Sequence, residues 1–132
     1  MTETLQNLLM YRIQKTGPIS VAGFMVEALH NQNFGCYATI DPQGSLGGFA
    51  TAPEISQAFG ELIGLWVLHF HQQQEIDGPI CLVELSPGRG TSILDIIKVL
   101  LKFKNIEELL EIHLVETNPI LRQMQKKLLG AF

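Results

Sequence analysis

The first half of the chain carries apolar residues at the three- and four-residue spacing of amphipathic helices. This spacing predicts a first helix over residues 2–15, and a second that is capped by Ser20 and reaches residue 30. The strongest stripe predicts a third helix over residues 53–74 with Pro53 at its first position. The positions expected to be buried on these helices are Leu5, Leu8, Leu9, Ile13, Val21, Met25, Leu29, Ile55, Phe59, Leu62, Ile63, Trp66, Val67 and Phe70.

The second half alternates short apolar runs with helical patterns. Strands are predicted over residues 80–85 and 111–116, and a helix over residues 91–103 joins them. Asn118 is expected to cap a last helix that opens on Pro119. This β-α-β-α order predicts an α/β fold with two parallel strands. Parallel sheets normally contain more strands and are covered on both faces, so the sheet looks unfinished.

Turn-forming residues dominate the connection over residues 31–52, where residues 37–40 are the one candidate for a short strand. Connections of this length inside a compact domain are often functional.

The net charge of −4 and the pI of about 5.5 argue against nucleic-acid binding. No apolar run approaches the roughly 20 residues that span a bilayer, and the first residues do not resemble a secretory signal.

Glycines follow the first predicted strand in the pattern acid-x-small-x-Gly-x-Gly, which runs from Glu84 through Ser86 and Gly88 to Gly90. Such a turn lets the backbone approach a ligand next to the free N–H groups of a helix N-terminus. Gly90 is followed by neither the third glycine of dehydrogenases nor the lysine of a P-loop. The pattern that remains is typical of the first motif of S-adenosylmethionine-dependent methyltransferases. An ordinary strand-to-helix turn that needs glycine remains an alternative.

Glu116 closes the second predicted strand, 26 residues after Gly90. In nucleotide-binding folds an acid at this place accepts hydrogen bonds from the ribose hydroxyls. A surface glutamate at a strand end is the alternative interpretation. The glycine turn and the acid occur together by chance much less often than either does alone.

Long stretches of the chain resemble the MidA family of S-adenosylmethionine-dependent methyltransferases. The similar segments are residues 17–22, 24–30, 35–37, 48–57, 59–64, 83–91 and 113–116. The resemblance implies a class I, Rossmann-like methyltransferase sheet preceded by helices, with S-adenosylmethionine as the methyl donor and a protein arginine as the acceptor. It also implies cofactor binding by Glu84, Ser86, Gly88, Gly90 and Glu116, with Thr51, Pro53 and Glu54 bordering the cofactor pocket.

On this interpretation, residues 1–78 form a helical region with a glycine-rich loop, and residues 79–132 begin the cofactor-binding domain. Family members are much longer, so we expect a truncated N-terminal part that is not competent for methyl transfer alone. The alternative is an inactive remnant or an interaction subunit that pairs with another chain, for example as a homodimer through open sheet edges. The family serves respiratory complex I assembly in mitochondria, which suggests a complex I subunit as protein partner.

Three residues depart from the family pattern: Ser86 replaces a glycine, Ala52 a helix-capping serine, and Cys36 a tyrosine. If position 86 requires positive φ, serine there costs about 1 kcal/mol or more. Cys81 is expected to be buried within its strand. We expect no metal site, assign no catalytic residue, and expect a bacterial cytoplasmic protein or, in a eukaryote, a protein of the mitochondrial matrix.

Overall fold

The computed structural model describes residues 4–39, 50–74 and 78–130. The elements in chain order are α1 (Leu5–Thr16), α2 (Val21–His30), α3 (Cys36–Thr39), α4 (Ala52–Ile55), α5 (Gln57–Gln73), β1 (Ile80–Leu85), α6 (Thr91–Leu100), β2 (Leu110–Val115) and α7 (Pro119–Leu129). The predicted β-α-β-α order is confirmed. Residues 40–49 of the predicted connection and the predicted start of the first helix at Thr2 lie outside the described residues. No helix within the described ranges is long and apolar enough to cross a membrane.

Strands β1 and β2 pair in parallel, as predicted, from Ile80 opposite Leu110 to Leu85 opposite Val115. These two strands make up the sheet of the described residues. Alternate residues, among them Ile80 and Leu110, point toward a shared apolar core. The opposite face is exposed: Leu85 is 72 % accessible and Cys81 is also exposed. The expectation that Cys81 is buried was therefore wrong, because its position in the strand alternation faces away from α6.

Helix α6 forms the centre of the core, between the sheet and α5. Ile93 and Leu100 are completely buried, and Leu68 of α5 joins the same cluster. At Gly60 and Gly64, α5 comes close to α6, since an added Cβ at Gly60 would lie 2.8 Å from the Asp95 Cβ. The two glycines allow the helix backbones to approach where larger side chains would hold them apart.

The third predicted helix divides at Ser56. This residue adopts an extended backbone, with φ −148° and ψ 124°, and its side chain accepts a hydrogen bond from Ala58 N. Ser56 therefore ends α4 and caps α5. At the start of α4, Thr51 occupies the cap position without a side-chain hydrogen bond. Its first turn thus lacks one of the contacts that usually stabilise a helix start.

Several predicted core positions are exposed. Trp66 is 63 % accessible and stacks on Phe70 at 5.7 Å between ring centroids, while Val21 is 79 % accessible. Helix α5 carries apolar residues on every side, and it packs through its glycine face rather than its aromatic stripe. The predicted burial was therefore wrong for the exposed members of that list, which are Leu8, Ile13, Val21, Met25, Ile55, Phe59, Leu62, Trp66 and Phe70.

The short strand predicted over residues 37–40 was also wrong for its described part. Residues Cys36–Thr39 form the helical turn α3, because the Thr39 N–H donates to Gly35 O and the Gly35 N–H donates to Asn31 O. In such a turn the backbone N–H and C=O groups bond to each other, so they are not free to pair with a neighbouring strand. The helix predicted to reach residue 103 ends at Leu100 and continues as turns.

Candidate functional site

The turn that follows β1 contains three residues with positive φ: Ser86 at 54°, Gly88 at 57° and Gly90 at 87°. Glycine adopts such angles without strain, whereas serine places its Cβ against the backbone. The Ser86 N–H donates to Val115 O at 2.9 Å, which extends the strand pairing by one residue. The departure from the family glycine at Ser86 therefore falls on a position of left-handed backbone. The pairing with β2 holds this strained residue in place.

A cavity of ≈ 340 Å³ lies beside this turn, and we call it the Glu116 cavity. It is lined by His30, Tyr37, Ser86, Gly88, Glu116, Thr117 and Leu121. Its volume falls within the range of about 300–1,000 Å³ found for small-molecule sites. Three predicted site residues, Ser86, Gly88 and Glu116, thus share one cavity. The carboxylate of Glu116 is half-buried, and its Oε1 accepts a hydrogen bond from Asn118 N at 2.8 Å.

A second cavity, of ≈ 370 Å³, shares Ser86 with the first, and we call it the Glu84 cavity. It is lined by Thr51, Pro53, Glu54, Phe59, Ile63, Glu84, Ser86, Pro87, Thr91 and Ser92. Burial raises the pKa of Glu84, and a hydrogen bond from Ser92 opposes this effect. The Oε2 atom of Glu84 is buried without a hydrogen-bond partner among the described residues. An uncompensated buried acceptor of this kind favours a site that receives a donor from a ligand.

The predicted border residues of the pocket are anchored to the start of α6. Glu54 accepts a hydrogen bond from Thr91 Oγ1 at 2.7 Å and lies 3.7 Å from the Arg89 guanidinium. This contact brings Thr51, Pro53 and Glu54 to the same cavity as Glu84. Of the predicted site residues, Gly90 lines neither cavity. It caps α6, where an added Cβ would lie 3.4 Å from Gln125 Cγ.

Sequence reasoning missed the contribution of the first helices to the Glu116 cavity. His30 ends α2 and Tyr37 belongs to α3, and both line the cavity. Tyr37 is brought there by a hydrogen bond of 2.6 Å from Asn118 Nδ2 to its carbonyl oxygen. These residues are 81 positions apart in the chain, so no local spacing could have indicated the contact.

A group of potential metal ligands lies on the exposed face of the sheet. Ligand atoms of Cys81, Glu111 and His113 lie within 4.8 Å of one another. The strand register accounts for this proximity, because Cys81 pairs with Glu111 and His113 is two residues farther along the same face. The expectation of no metal pattern did not foresee this grouping, since it considered the histidines by their sequence spacing alone.

The comparison with known proteins identifies the class of this chain. Residues 62–132, more than half of its length, match the family described as "Putative S-adenosyl-L-methionine-dependent methyltransferase". The chain belongs to this family, whose methyl donor is S-adenosylmethionine. Both the turn after β1 and the strand that ends before Glu116 lie inside the matched residues.

Individual relatives agree with this assignment. The chain is 45 % identical over 122 residues to the mitochondrial protein arginine methyltransferase NDUFAF7 homolog of Drosophila melanogaster, which covers 92 % of this chain and 28 % of that protein. It is 43 % identical over 121 residues to mitochondrial protein arginine methyltransferase NDUFAF7 of Homo sapiens, covering 89 % and 27 %. The chain thus spans just over a quarter of the length of these relatives.

The residues around the turn fit the polar groups of the family's cofactor. S-adenosylmethionine carries an ammonium group, a sulfonium and two ribose hydroxyls, so it offers hydrogen-bond donors and positive charge. The site provides carboxylate acceptors from Glu84 and Glu116, and the unpartnered Oε2 of Glu84 lacks a donor. The acceptors and negative charge of these two carboxylates therefore match the chemistry of a cationic, hydroxyl-bearing ligand.

Proposed function

We propose that these 132 residues supply the first part of the cofactor-binding site of a MidA-like methyltransferase. The observation that carries this proposal is the convergence of Ser86, Gly88 and Glu116 on one cavity beside the turn after β1. Membership of the methyltransferase family supports it independently. As before, we assign residues 1–78 to a helical region and residues 79–132 to the start of a Rossmann-like domain.

Each acid has a proposed role. Glu116 accepts hydrogen bonds from the ribose hydroxyls, and its Oε1 is already oriented by Asn118 N. Glu84 receives the ammonium group of the cofactor, whose positive charge compensates the buried carboxylate. Gly88 lets the turn pass close beneath the ligand, at a φ of 57° that a larger residue adopts only with strain.

When bound, S-adenosylmethionine supplies an electrophilic methyl group for an acceptor nitrogen. Following the names of the relatives, we infer that the acceptor is a protein arginine and that the protein works in mitochondria if it is eukaryotic. A complex I subunit is the proposed partner. We propose further that methyl transfer requires parts of the relatives that this chain does not match.

Calorimetric titration with S-adenosylhomocysteine tests the cofactor site. Hydrogen bonds to a charged group are worth about 1.5–3 kcal/mol, so Glu116→Gln should raise Kd by roughly 10- to 100-fold. Glu107→Gln is the matched control, because Glu107 is exposed in the turns between α6 and β2. No heat of binding by the unsubstituted chain at millimolar ligand would contradict the cofactor site. An unchanged Kd in Glu116→Gln would remove the ribose role.

One observation favours a second candidate function, an interaction subunit. The outer face of the sheet exposes apolar residues, with Val83 at 52 %, Leu85 at 72 % and Val115 at 52 % accessible. Apolar patches of this kind are typical of surfaces that another element or chain covers. Light scattering after size exclusion tests whether two copies associate through this face.

If the face forms a dimer, Val83→Lys should dissociate it. Val26→Lys should leave the dimer intact, because Val26 is equally apolar and 59 % accessible but lies on α2. A monomeric mass for the unsubstituted chain at micromolar concentration would exclude the homodimer. If both Val83→Lys and Val26→Lys dissociate the dimer, the dimer contact is not specific to the outer face of the sheet.

A further inference from the structure

Asn118 is a completely buried polar residue at the junction of β2 and α7. Its Oδ1 accepts hydrogen bonds from Ile120 N at 2.8 Å and Leu121 N at 3.3 Å, which caps α7. Its backbone N–H donates to Glu116 Oε1 at 2.8 Å. Its Nδ2 donates to Tyr37 O at 2.6 Å. One residue therefore connects a helix start, a carboxylate and a distant turn.

Three of these four hydrogen bonds end at residues that line the Glu116 cavity, and the bond from Ile120 N only caps the helix. Leu121, Glu116 and Tyr37 all belong to its lining, whereas Asn118 does not. Asn118 thus lies behind the cavity wall and holds three parts of it at fixed distances. Because it is buried, water cannot readily replace these hydrogen bonds when one of them is lost.

Helix capping alone does not account for this residue. Serine, threonine and aspartate cap helices about as well as asparagine, since a cap needs only a side-chain acceptor. The 2.6 Å bond to Tyr37 O requires a side-chain donor in addition to that acceptor. Asparagine supplies both groups from one planar amide, so its second function is the link to Tyr37.

The same helix carries a second buried amide. Gln125 is 4 % accessible and lies two turns after Asn118, and its Nε2 donates to Gly88 O at 2.6 Å. Gly88 also lines the Glu116 cavity. Helix α7 thereby holds the glycine turn at one point and the Glu116–Tyr37 wall at another.

We propose that Asn118 is a positioning residue for sugar recognition, which fastens the Tyr37 turn to Glu116 and thereby sets the carboxylate toward the ribose hydroxyls. This inference rests on the proposed function. It adds that the helical region before residue 78 takes part in cofactor selectivity. Tyr37 of that region is linked to Glu116 through Asn118, which the ligand does not touch.

Two ligands separate positioning from stability: S-adenosylhomocysteine and its analogue lacking both ribose hydroxyls. In the unsubstituted chain, loss of the hydroxyls should raise Kd by roughly 10- to 100-fold. In Asn118→Ser, which keeps a capping acceptor, the Kd of S-adenosylhomocysteine should rise about tenfold and that of the analogue should change less than about threefold. An equal rise for both ligands, or no rise for either, overturns the proposal.

Thr4→Ala is the control for lost stability, because it removes the cap of α1 at Asn7 N and Thr4 lines neither the Glu116 cavity nor the Glu84 cavity. It should leave the ratio of the two Kd values unchanged. A changed ratio would mean that general destabilisation accounts for the Asn118 result, which also overturns the proposal.

Hydrogen exchange provides a readout that needs no ligand. In Asn118→Ser, the Thr39 amide should exchange roughly tenfold faster, while the Leu94 amide of α6 keeps its rate. Unchanged exchange at Thr39 refutes the link to the Tyr37 turn whatever the ligand does. If the Thr39 amide exchanges faster as expected but the unsubstituted chain binds no S-adenosylhomocysteine, the proposed cofactor site is wrong. The role of Asn118 in sugar recognition is then wrong as well, although its link to the Tyr37 turn stands.

Discussion

Helices α5 and α6 approach so closely at Gly60 that one added methyl group should weaken the fold. The Cβ of Gly60→Ala would lie 2.8 Å from Asp95 Cβ and 3.0 Å from Ser92 O. Carbon atoms pack favourably at about 3.5–4.0 Å, so the helices must separate by several tenths of an ångström or more. Ser92 also lines the Glu84 cavity, so the displacement would reach the proposed cofactor site.

The magnitude follows from two opposing effects. Overpacking of a well-packed core costs about 1–3 kcal/mol, while replacement of a mid-helix glycine by alanine gains about 0.5–1 kcal/mol. We therefore expect Gly60→Ala to lower the free energy of unfolding by about 1–2 kcal/mol. For a domain of this size, each kcal/mol corresponds to a Tm change of roughly 3–6 °C.

Other glycines of the chain provide a graded control series. At Gly64 the nearest contacts of an added Cβ are 3.1 Å, to Ile96 O and Val99 Cβ, so a smaller loss is expected. At Gly23 the nearest atom is Ser20 Oγ at 3.4 Å, which is ordinary contact, so alanine should stabilise by up to about 1 kcal/mol. Urea denaturation followed by circular dichroism measures all three. Equal stability of Gly60→Ala and Gly23→Ala would refute the close approach of the helices.

Two further predictions concern the turn after β1. Ser86→Gly should raise the free energy of unfolding by about 0.5–1 kcal/mol, because the relieved strain of about 1–2 kcal/mol at φ 54° exceeds the entropy that glycine adds to the unfolded chain. An unchanged or lower Tm would contradict the strain at Ser86. Since burial raises the pKa of Glu84, the folded chain binds its proton more tightly than the unfolded chain does, and stability falls as pH rises from about 4.5 through the raised value. Urea denaturation between pH 4 and 8 should show a smaller fall in the free energy of unfolding for Glu84→Gln than for the unsubstituted chain. An equal fall in both proteins would exclude a contribution from the Glu84 carboxyl.

The sequence predicted those parts of the fold that local chemistry decides. The strand over residues 80–85 matches β1, because an apolar run bounded by turn residues leaves few alternatives. Asn118 caps α7 and Ser20 caps α2, as their side-chain acceptors indicated. Glu84 is the next-to-last residue of β1 and Glu116 directly follows β2, so both acids lie near the turn, as their positions at the strand ends indicated.

Long-range packing decided what the sequence could not. Apolar residues occur on every side of α5, so the helical spacing indicated Trp66 as a core residue although Gly64 is the one that faces α6. Only the contact with α6 shows that the smaller residue does, because it allows the closer approach. Tyr37 reaches the cavity through Asn118, from a segment whose own residues suggested a strand. Such choices depend on surfaces that meet only after folding.

The sheet of the described residues exposes apolar side chains on its outer face. In β1, Val83 and Leu85 alternate with Leu82 so that both faces of the strand are apolar, which is typical of parallel strands buried on both sides. The described residues cover one face through α6. The aromatic stripe of α5 around Trp66 is exposed in the same way. Since exposed apolar surface is unfavourable in water, we expect another structural element or a second chain to cover these residues.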